Sequence, residues 1–263
     1  MLISFSKYHG AGNDFIMIDN REKRFVPSVD IIKEMCKTHT GIGADGLILL
    51  EENAEGLLMR YFNSDGNEST MCGNGGRCFA SFAFTLNLVP VKMKFWGIDS
   101  IHEAEILENG FVKLRMKDIS KVETIDDGFF LDSGSPHFVS FVRNVNNVDV
   151  AREGNLIRQS VNVQNGGTNA NFVQVESNGI LKIRTFERGV EAETLACGTG
   201  AVASAIAYHE FFEPSDTKVT VKALGGTLKV SFSVIENKYS NIWLEGPVKH
   251  VFDGSFNIKH NSL

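Results

Sequence analysis

The chain carries no surplus of basic residues: 26 Lys and Arg stand against 32 Asp and Glu, for a formal charge of −6 and a pI near 5.7. That balance argues against nucleic acid or an anionic membrane as a partner. Long apolar runs are also missing, since none approaches the roughly 18 residues that a membrane span needs. The opening Met1-Leu2-Ile3-Ser4-Phe5-Ser6-Lys7 has no charged start followed by a long apolar stretch. No signal peptide is expected from it, and the chain is expected to stay in the cytoplasm. Cysteine is sparse, with only Cys36, Cys72, Cys78 and Cys197. In a reducing compartment four cysteines are not a disulfide framework. Nor do they suggest a metal: Cys72 and Cys78 would stand roughly 240° apart around a helix and cannot clasp one ion. Neither a P-loop nor a G-x-G-x-x-G after a strand is present, so no nucleotide cofactor is expected.

What is there suits a globular protein. With 43% hydrophobic and 22% charged residues, the chain can bury real cores, and its length fits two domains of about 130 residues each. Leu2 to Tyr8 reads as a strand, followed by a glycine turn at Gly10-Ala11-Gly12 and a second strand to Asp19. Helical spacing over Pro27 to Thr40 sets Val29, Ile32, Met35 and Cys36 on one face. Leu47 to Leu50 and Leu57 to Phe62 follow as strands, with the polar turn Asn63-Ser64-Asp65-Gly66 after them. Cys72 then opens an alanine- and phenylalanine-rich run that reads as a buried helix through Leu86. Val91 to Trp96, His102 to Leu107 and Phe111 to Met116 alternate as short strands.

Past about Asp118 the pattern restarts. Gly134-Ser135-Pro136-His137 echoes Gly12-Asn13-Asp14-Phe15 at an offset of 122. Thr168 to Val173 corresponds to Ala44 to Leu49 at 124, and Arg184-Thr185-Phe186-Glu187 to Arg60-Tyr61-Phe62-Asn63 again at 124. Cys197 follows Cys72 by 125. The chain therefore reads as a duplicated α/β unit. One half is expected over 1–118 plus 249–263, carrying Cys72, and the other over 119–248, carrying Cys197. Two copies about a pseudo-twofold axis would bring both cysteines to one ligand at a shared cleft.

Each cysteine precedes small residues at a helix start, Cys72-Gly73-Asn74-Gly75 and Cys197-Gly198-Thr199-Gly200. A thiol there meets outward-facing backbone N–H groups and the positive end of the helix dipole, which favour a thiolate. The same N–H groups can hold a carboxylate. Two such thiols suggest acid–base chemistry at a carbon next to a carboxylate: one removes a proton and the other returns one to the opposite face, inverting the centre. The carbanion would lean on both helix starts for charge support, and the scheme calls for no cofactor and no metal. Cys36 and Cys78 read as buried small hydrophobes. Phe79, Phe82, Phe84, Phe211 and Phe212 read as core or packing residues.

These motifs, with Phe62-Asn63-Ser64-Asp65-Gly66, Gly75-Gly76-Arg77-Cys78 and Glu187-Arg188-Gly189, closely resemble the diaminopimelate epimerase family, in order and over nearly the whole chain. The resemblance implies a mixed α/β (α+β) fold of two pseudo-symmetric domains, each a curved, mostly antiparallel sheet wrapped around a central helix. It implies cofactor-independent interconversion of LL- and meso-diaminopimelate, toward lysine and peptidoglycan precursors. Cys72 and Cys197 match the acid/base pair, and His137 and Glu187 match groups that assist thiol protonation. Gly73, Asn74, Gly198 and Thr199 match the carboxylate-holding segments. Asn13, Asn63, Asn169, Glu187 and Arg188 match further substrate-binding positions, Arg188 suiting the distal carboxylate through its fork geometry. Two positions depart from the pattern: Ser135 stands for an asparagine and Gly46 for a glutamine, each removing an amide. The expected partner is a small molecule, with the chain alone or as a homodimer.

The rivals are a proline or hydroxyproline racemase-like isomerase of the same fold, and a non-enzymatic amino-acid-binding or thiol-redox module. Arg188 and Asn63 count against the first, which needs no polar distal pocket. The wide spacing of the cysteines counts against a redox pair.

Overall fold

The computed structural model describes residues 1–70, 72–98, 100–177, 179–236 and 238–258. The chain divides into two compact units, Met1–Leu114 with Val248–Leu263, and Arg115–Pro247.

In the first unit the strands run, in order across the sheet, Lys249–Asn257, Leu2–Gly10, Asn13–Asp19, Gly46–Asn53, Gly56–Asn63, Lys92–Trp96, Ile101–Ile106 and Val112–Arg115. Neighbours are antiparallel except at two places, Asn13–Asp19 beside Gly46–Asn53 and Gly56–Asn63 beside Lys92–Trp96. Both parallel steps need a crossover, and helices supply them. Helix α1 (Val29–Cys36) makes the first and α2 (Gly73–Thr85) the second. Period-2 alternation sorts the strand residues between these helices. Ile16, Ile18, Leu47, Leu49 and Phe62 pack with Ile32, Met35 and Cys36 of α1. On α2 the residues Gly73 to Ala80, with Phe82 and Ala83, are buried, so the helix is enclosed on all sides by strands.

The helical spacing over Pro27 to Thr40 is realised only as Val29–Cys36. Ser28 caps the start by accepting from Ile31 N–H, and Lys37 turns to an extended conformation that ends the helix.

The second unit repeats the arrangement strand for strand. Its order is Glu123–Ile125, Gly128–Asp132, Pro136–Phe141, Asn169–Ser177, Ile180–Glu187, Lys218–Ala223, Gly226–Ile235 and Lys238–Gly246. The parallel steps fall at the equivalent places, Pro136–Phe141 beside Asn169–Ser177 and Ile180–Glu187 beside Lys218–Ala223. Helix α3 (Val150–Ser160) packs with the second unit's Ala170, Phe172 and Phe186 as α1 does in the first unit. Helix α4 (Gly198–Phe212) is the enclosed one, buried from Gly200 to Tyr208.

This packing corrects one offset. Ala170 and Phe172 hold the places of Leu47 and Leu49, so that strand is displaced by 123 positions and not 124. Asn171 therefore corresponds to Ile48. The aromatic expectation also divides. Phe79 and Phe82 are buried, whereas Phe84, Phe211 and Phe212 are exposed by 38%, 59% and 48%. They lie at the last turns of their helices, where Phe211 stacks on Phe141 and Phe212 packs against it edge-to-face.

Candidate active site

Each cysteine is the residue immediately before its enclosed helix, in extended backbone conformation: Cys72 at φ −94°, ψ 131° and Cys197 at φ −115°, ψ 116°. The first intrahelical bonds are Gly76 N–H to Cys72 O at 2.7 Å and Ala201 N–H to Cys197 O at 2.9 Å. Gly73 and Asn74, like Gly198 and Thr199, thus present their N–H groups out of the helix start, where an anion is favoured.

In the first unit the sulfur of Cys72 donates to Asn13 Oδ1 at 3.6 Å, an oxygen that also accepts from Asn74 Nδ2 at 3.2 Å. Asn13 Nδ2 donates to Asp45 Oδ2 at 2.6 Å, which fixes which way the Asn13 amide points. Burial raises the Asp45 carboxyl above its usual range, against the lowering effect of the Asn13 hydrogen bond. Asp14 pairs with Lys7 at 2.6 Å. Asn63 sits at the end of its strand opposite Gly46, so it borders the Asp45 turn. Gly46 leaves no room for a side chain: a Cβ there would lie 2.6 Å from Phe62 O and 2.6 Å from the Tyr61 ring. The missing amide at this position is thus enforced by packing.

One turn behind Cys72 lies Arg77, fully buried. Its Nη1 donates to Gly73 O at 3.2 Å and its Nη2 to Asn74 Oδ1 at 2.8 Å, while Nε has no partner. Among the described residues no carboxylate pairs with it. Burial lowers its pKa, opposed by the nearby Cys78 and Cys72 sulfurs.

In the second unit Cys197 Sγ lies 3.4 Å from Thr199 Oγ1, which lies 2.9 Å from His137 Nε2. His137 thus reaches the sulfur through Thr199. Its ring is fully buried, and burial lowers its pKa to about 3, so it is neutral at physiological pH. Asn171 Nδ2 meets the other ring nitrogen, Nδ1, at 2.9 Å. Asn169 donates to Pro136 O at 2.8 Å and Ser135 Oγ at 3.0 Å, and it accepts from Arg188 N–H at 2.8 Å. Ser135 therefore takes up one amide hydrogen of Asn169, and Asn169 anchors the backbone of Arg188. Glu187 Oε2 accepts from Thr194 Oγ1 at 2.9 Å.

The structure gathers Asn13, Asn63, Cys72, Gly73 and Asn74 at one sheet end of the first unit. It gathers His137, Asn169, Glu187, Arg188, Cys197, Gly198 and Thr199 at the equivalent end of the second. Sequence reasoning missed Asp45, Arg77, Asn171 and Thr185 as polar members of these clusters. Asn171 carried a signal, a polar residue at an enclosed position in an otherwise apolar strand; Arg77 carried one in its lack of any acidic neighbour on α2.

The class emerges from the fold first. A PhzF-family phenazine biosynthesis protein from Bacillus anthracis superposes with a TM-score of 0.77 at 15% identity, over 98% of this chain and all of the other. A hydroxyproline epimerase from Agrobacterium vitis gives 0.70 at 11%, over 97% and 92%. The chain is thus one of the duplicated α+β proteins that enclose a helix in each half. Sequence narrows this further. The diaminopimelate epimerase family model matches residues 5–97 and 129–251. Diaminopimelate epimerases of Flavobacterium psychrophilum and Chlorobaculum tepidum are 48% and 42% identical, over 94% and 95% of this chain and 97% and 99% of theirs. The chain belongs to the diaminopimelate epimerase family.

Proposed function

We propose that the chain interconverts LL- and meso-diaminopimelate without pyridoxal phosphate, with Cys72 and Cys197 as its acid/base pair. The observation that carries the reading is the repeated constellation, a cysteine at the start of an enclosed helix in each unit, in a chain of this family. One sulfur, as thiolate, takes the α-proton; the other, as thiol, returns one to the opposite face. The helix-start N–H groups of Gly73, Asn74, Gly198 and Thr199 hold the α-carboxylate and absorb the charge that grows on it. Asn13 and Asn63 in one unit, and Asn169, Glu187 and Arg188 in the other, recognise the remaining polar groups. Arg188 takes the distal carboxylate. His137 supports Cys197 through Thr199.

The product serves lysine and peptidoglycan precursor synthesis. The free state of all four thiols suits a reducing cytoplasm. The racemase rival shares the fold, but its likeness at 11% identity carries nothing beyond the fold.

The test is an assay on LL-diaminopimelate beside L-proline and hydroxyproline, in deuterated water with no added cofactor. Deuterium should enter the α-position of diaminopimelate alone, and Cys72→Ala or Cys197→Ala should each stop epimerisation. Turnover of proline but not diaminopimelate, or full activity in either alanine variant, overturns the reading.

A further inference from the structure

The duplication provides an internal control, because equivalent positions in the two units can be compared. In the second unit His137, Asn171 and Thr185 form a buried polar group, each at most 2% exposed. In the first unit the same positions are Phe15, Ile48 and Tyr61, and the rings of Phe15 and Tyr61 pack edge-to-face at 6.0 Å. A fold that accepts an apolar filling in one copy does not need buried amide, imidazole and hydroxyl groups in the other. Burying them is costly unless every hydrogen bond is made.

Here the bonds are made, and their directions can be assigned. The Asn171 amide nitrogen donates to Phe138 O at 3.1 Å, and its oxygen accepts from Thr185 Oγ1 at 3.0 Å. With the amide so oriented, its second hydrogen points at His137 Nδ1, 2.9 Å away. Nδ1 must then accept, which leaves the ring hydrogen of the neutral imidazole on Nε2. Nε2–H donates to Thr199 Oγ1. The Asn169 amide nitrogen, 3.5 Å from Nε2, spends its hydrogens on Pro136 O and Ser135 Oγ. Thr199 has one hydroxyl hydrogen, and Cys197 Sγ is within reach of it. Cys72 meets the reverse polarity, its sulfur facing the carbonyl oxygen of Asn13.

We infer that Asn171, held by Thr185, is a positioning residue that locks His137 as the Nε2–H tautomer, so that Thr199 donates its hydroxyl hydrogen to Cys197 and stabilises the thiolate of that cysteine alone. The inference deepens the proposed reaction and rests on the reading that Cys197 titrates in it. His137 then carries no proton to or from the sulfur; it is a fixed neutral donor. The charged groups around this relay are few. Asp132, bound to Lys117 and to Gly134 N–H, and Arg188 act on His137 with opposite sign. Glu187 is engaged by Thr194. Arg77 acts on the other cysteine, since its place in the second unit is taken by the apolar Val202.

The experiment titrates Cys197 without substrate, in the Cys72→Ser chain, by ultraviolet thiolate absorbance. Cys36 and Cys78 stay silent below about pH 10, because burial pushes Cys36 up to about 12 and Cys78 beyond it. Thr199→Val should raise the Cys197 midpoint by about one to two pH units, the weight of one hydrogen bond to a charged acceptor. Thr199→Ser should restore the midpoint. Asn171→Asp should turn the His137 ring to the Nδ1–H tautomer, seen in its ring nitrogen chemical shifts, and raise the Cys197 midpoint with it. Should the variants fold poorly, the wild-type ring shifts decide alone: Nε2–H supports the relay. Nδ1–H or a protonated ring at neutral pH overturns it, as does a Cys197 midpoint indifferent to Thr199→Val. If Cys197 titrates as expected while the wild-type chain leaves diaminopimelate unchanged, the proposed function is refuted and the relay stands. Epimerisation with an indifferent midpoint does the opposite.

Discussion

Replacing Arg77 with methionine should stabilise the fold while impairing its function. The guanidinium is fully buried, lacks a carboxylate partner among the described residues and leaves Nε without an acceptor. Removing such an ion from water costs several kcal/mol even after relaxation. Against this stand two hydrogen bonds from a charged donor, to Gly73 O and Asn74 Oδ1, each worth about 1.5–3 kcal/mol. The orphaned Nε–H adds about 1–3 kcal/mol to the cost. The sign of the pKa shift agrees: burial lowers the folded-state pKa of this base, so protonation favours the unfolded chain at every pH below the folded value. At the equivalent position the second unit buries the apolar Val202. Methionine fills a similar volume, and even buried charges that are paired give way to apolar residues of like volume with a stabilisation of about 1–4 kcal/mol. Urea unfolding at neutral pH should therefore show a gain of at least about 1 kcal/mol. Turnover should fall in the same protein, because Asn74 and through it Asn13 lose the contact that orients them beside Cys72. A methionine variant less stable than wild type by more than about 1 kcal/mol would show that the Gly73 and Asn74 bonds outweigh desolvation, and would refute the reasoning.

Other outcomes follow from the same geometry. Gly200→Ala places a Cβ 2.5 Å from Asn171 Oδ1 and should cost about 1–3 kcal/mol by urea unfolding. Gly75→Ala meets the flexible Ile48 methyl end at 3.1 Å, with Met59 Cε at 3.4 Å and Cys72 Cβ at 3.5 Å in ordinary contact, and a gain in helix propensity of up to about 1 kcal/mol should bring it near neutral. His137 should show no titration by nuclear magnetic resonance between pH 7.5 and about 4.5, since burial holds its pKa near 3. As pH falls from the unfolded value of about 6.5 toward 3, the unfolded chain binds a proton that the folded chain refuses. Stability should therefore decline across that window, with a shallower slope in a folded variant lacking this ring. Asn169→Ala orphans the Pro136 carbonyl and the Arg188 N–H. It should raise the KM for diaminopimelate more than it lowers kcat, and cost about 1–3 kcal/mol in stability.

Much of this protein is local and could be read from residue order. Cysteine followed by small residues and then an apolar run announces a helix start, because capping and burial are decided within a few positions. The parallel repeats of strand and helix followed from matched motifs, and the family from their order. Tertiary structure decided what depends on neighbours distant in sequence. The register of Asn169–Ser177 moved by one position because Ala170 and Phe172 answer to α3, and a single step exchanges the two faces of a strand. That exchange carries Asn171 to the enclosed helix and to His137, 34 positions away in the chain. The isolation of Arg77 likewise depends on which acids the strands around α2 bring near. Composition and spacing chose the two cysteines; the direction of each hydrogen bond around them was set only when folding removed the competing water.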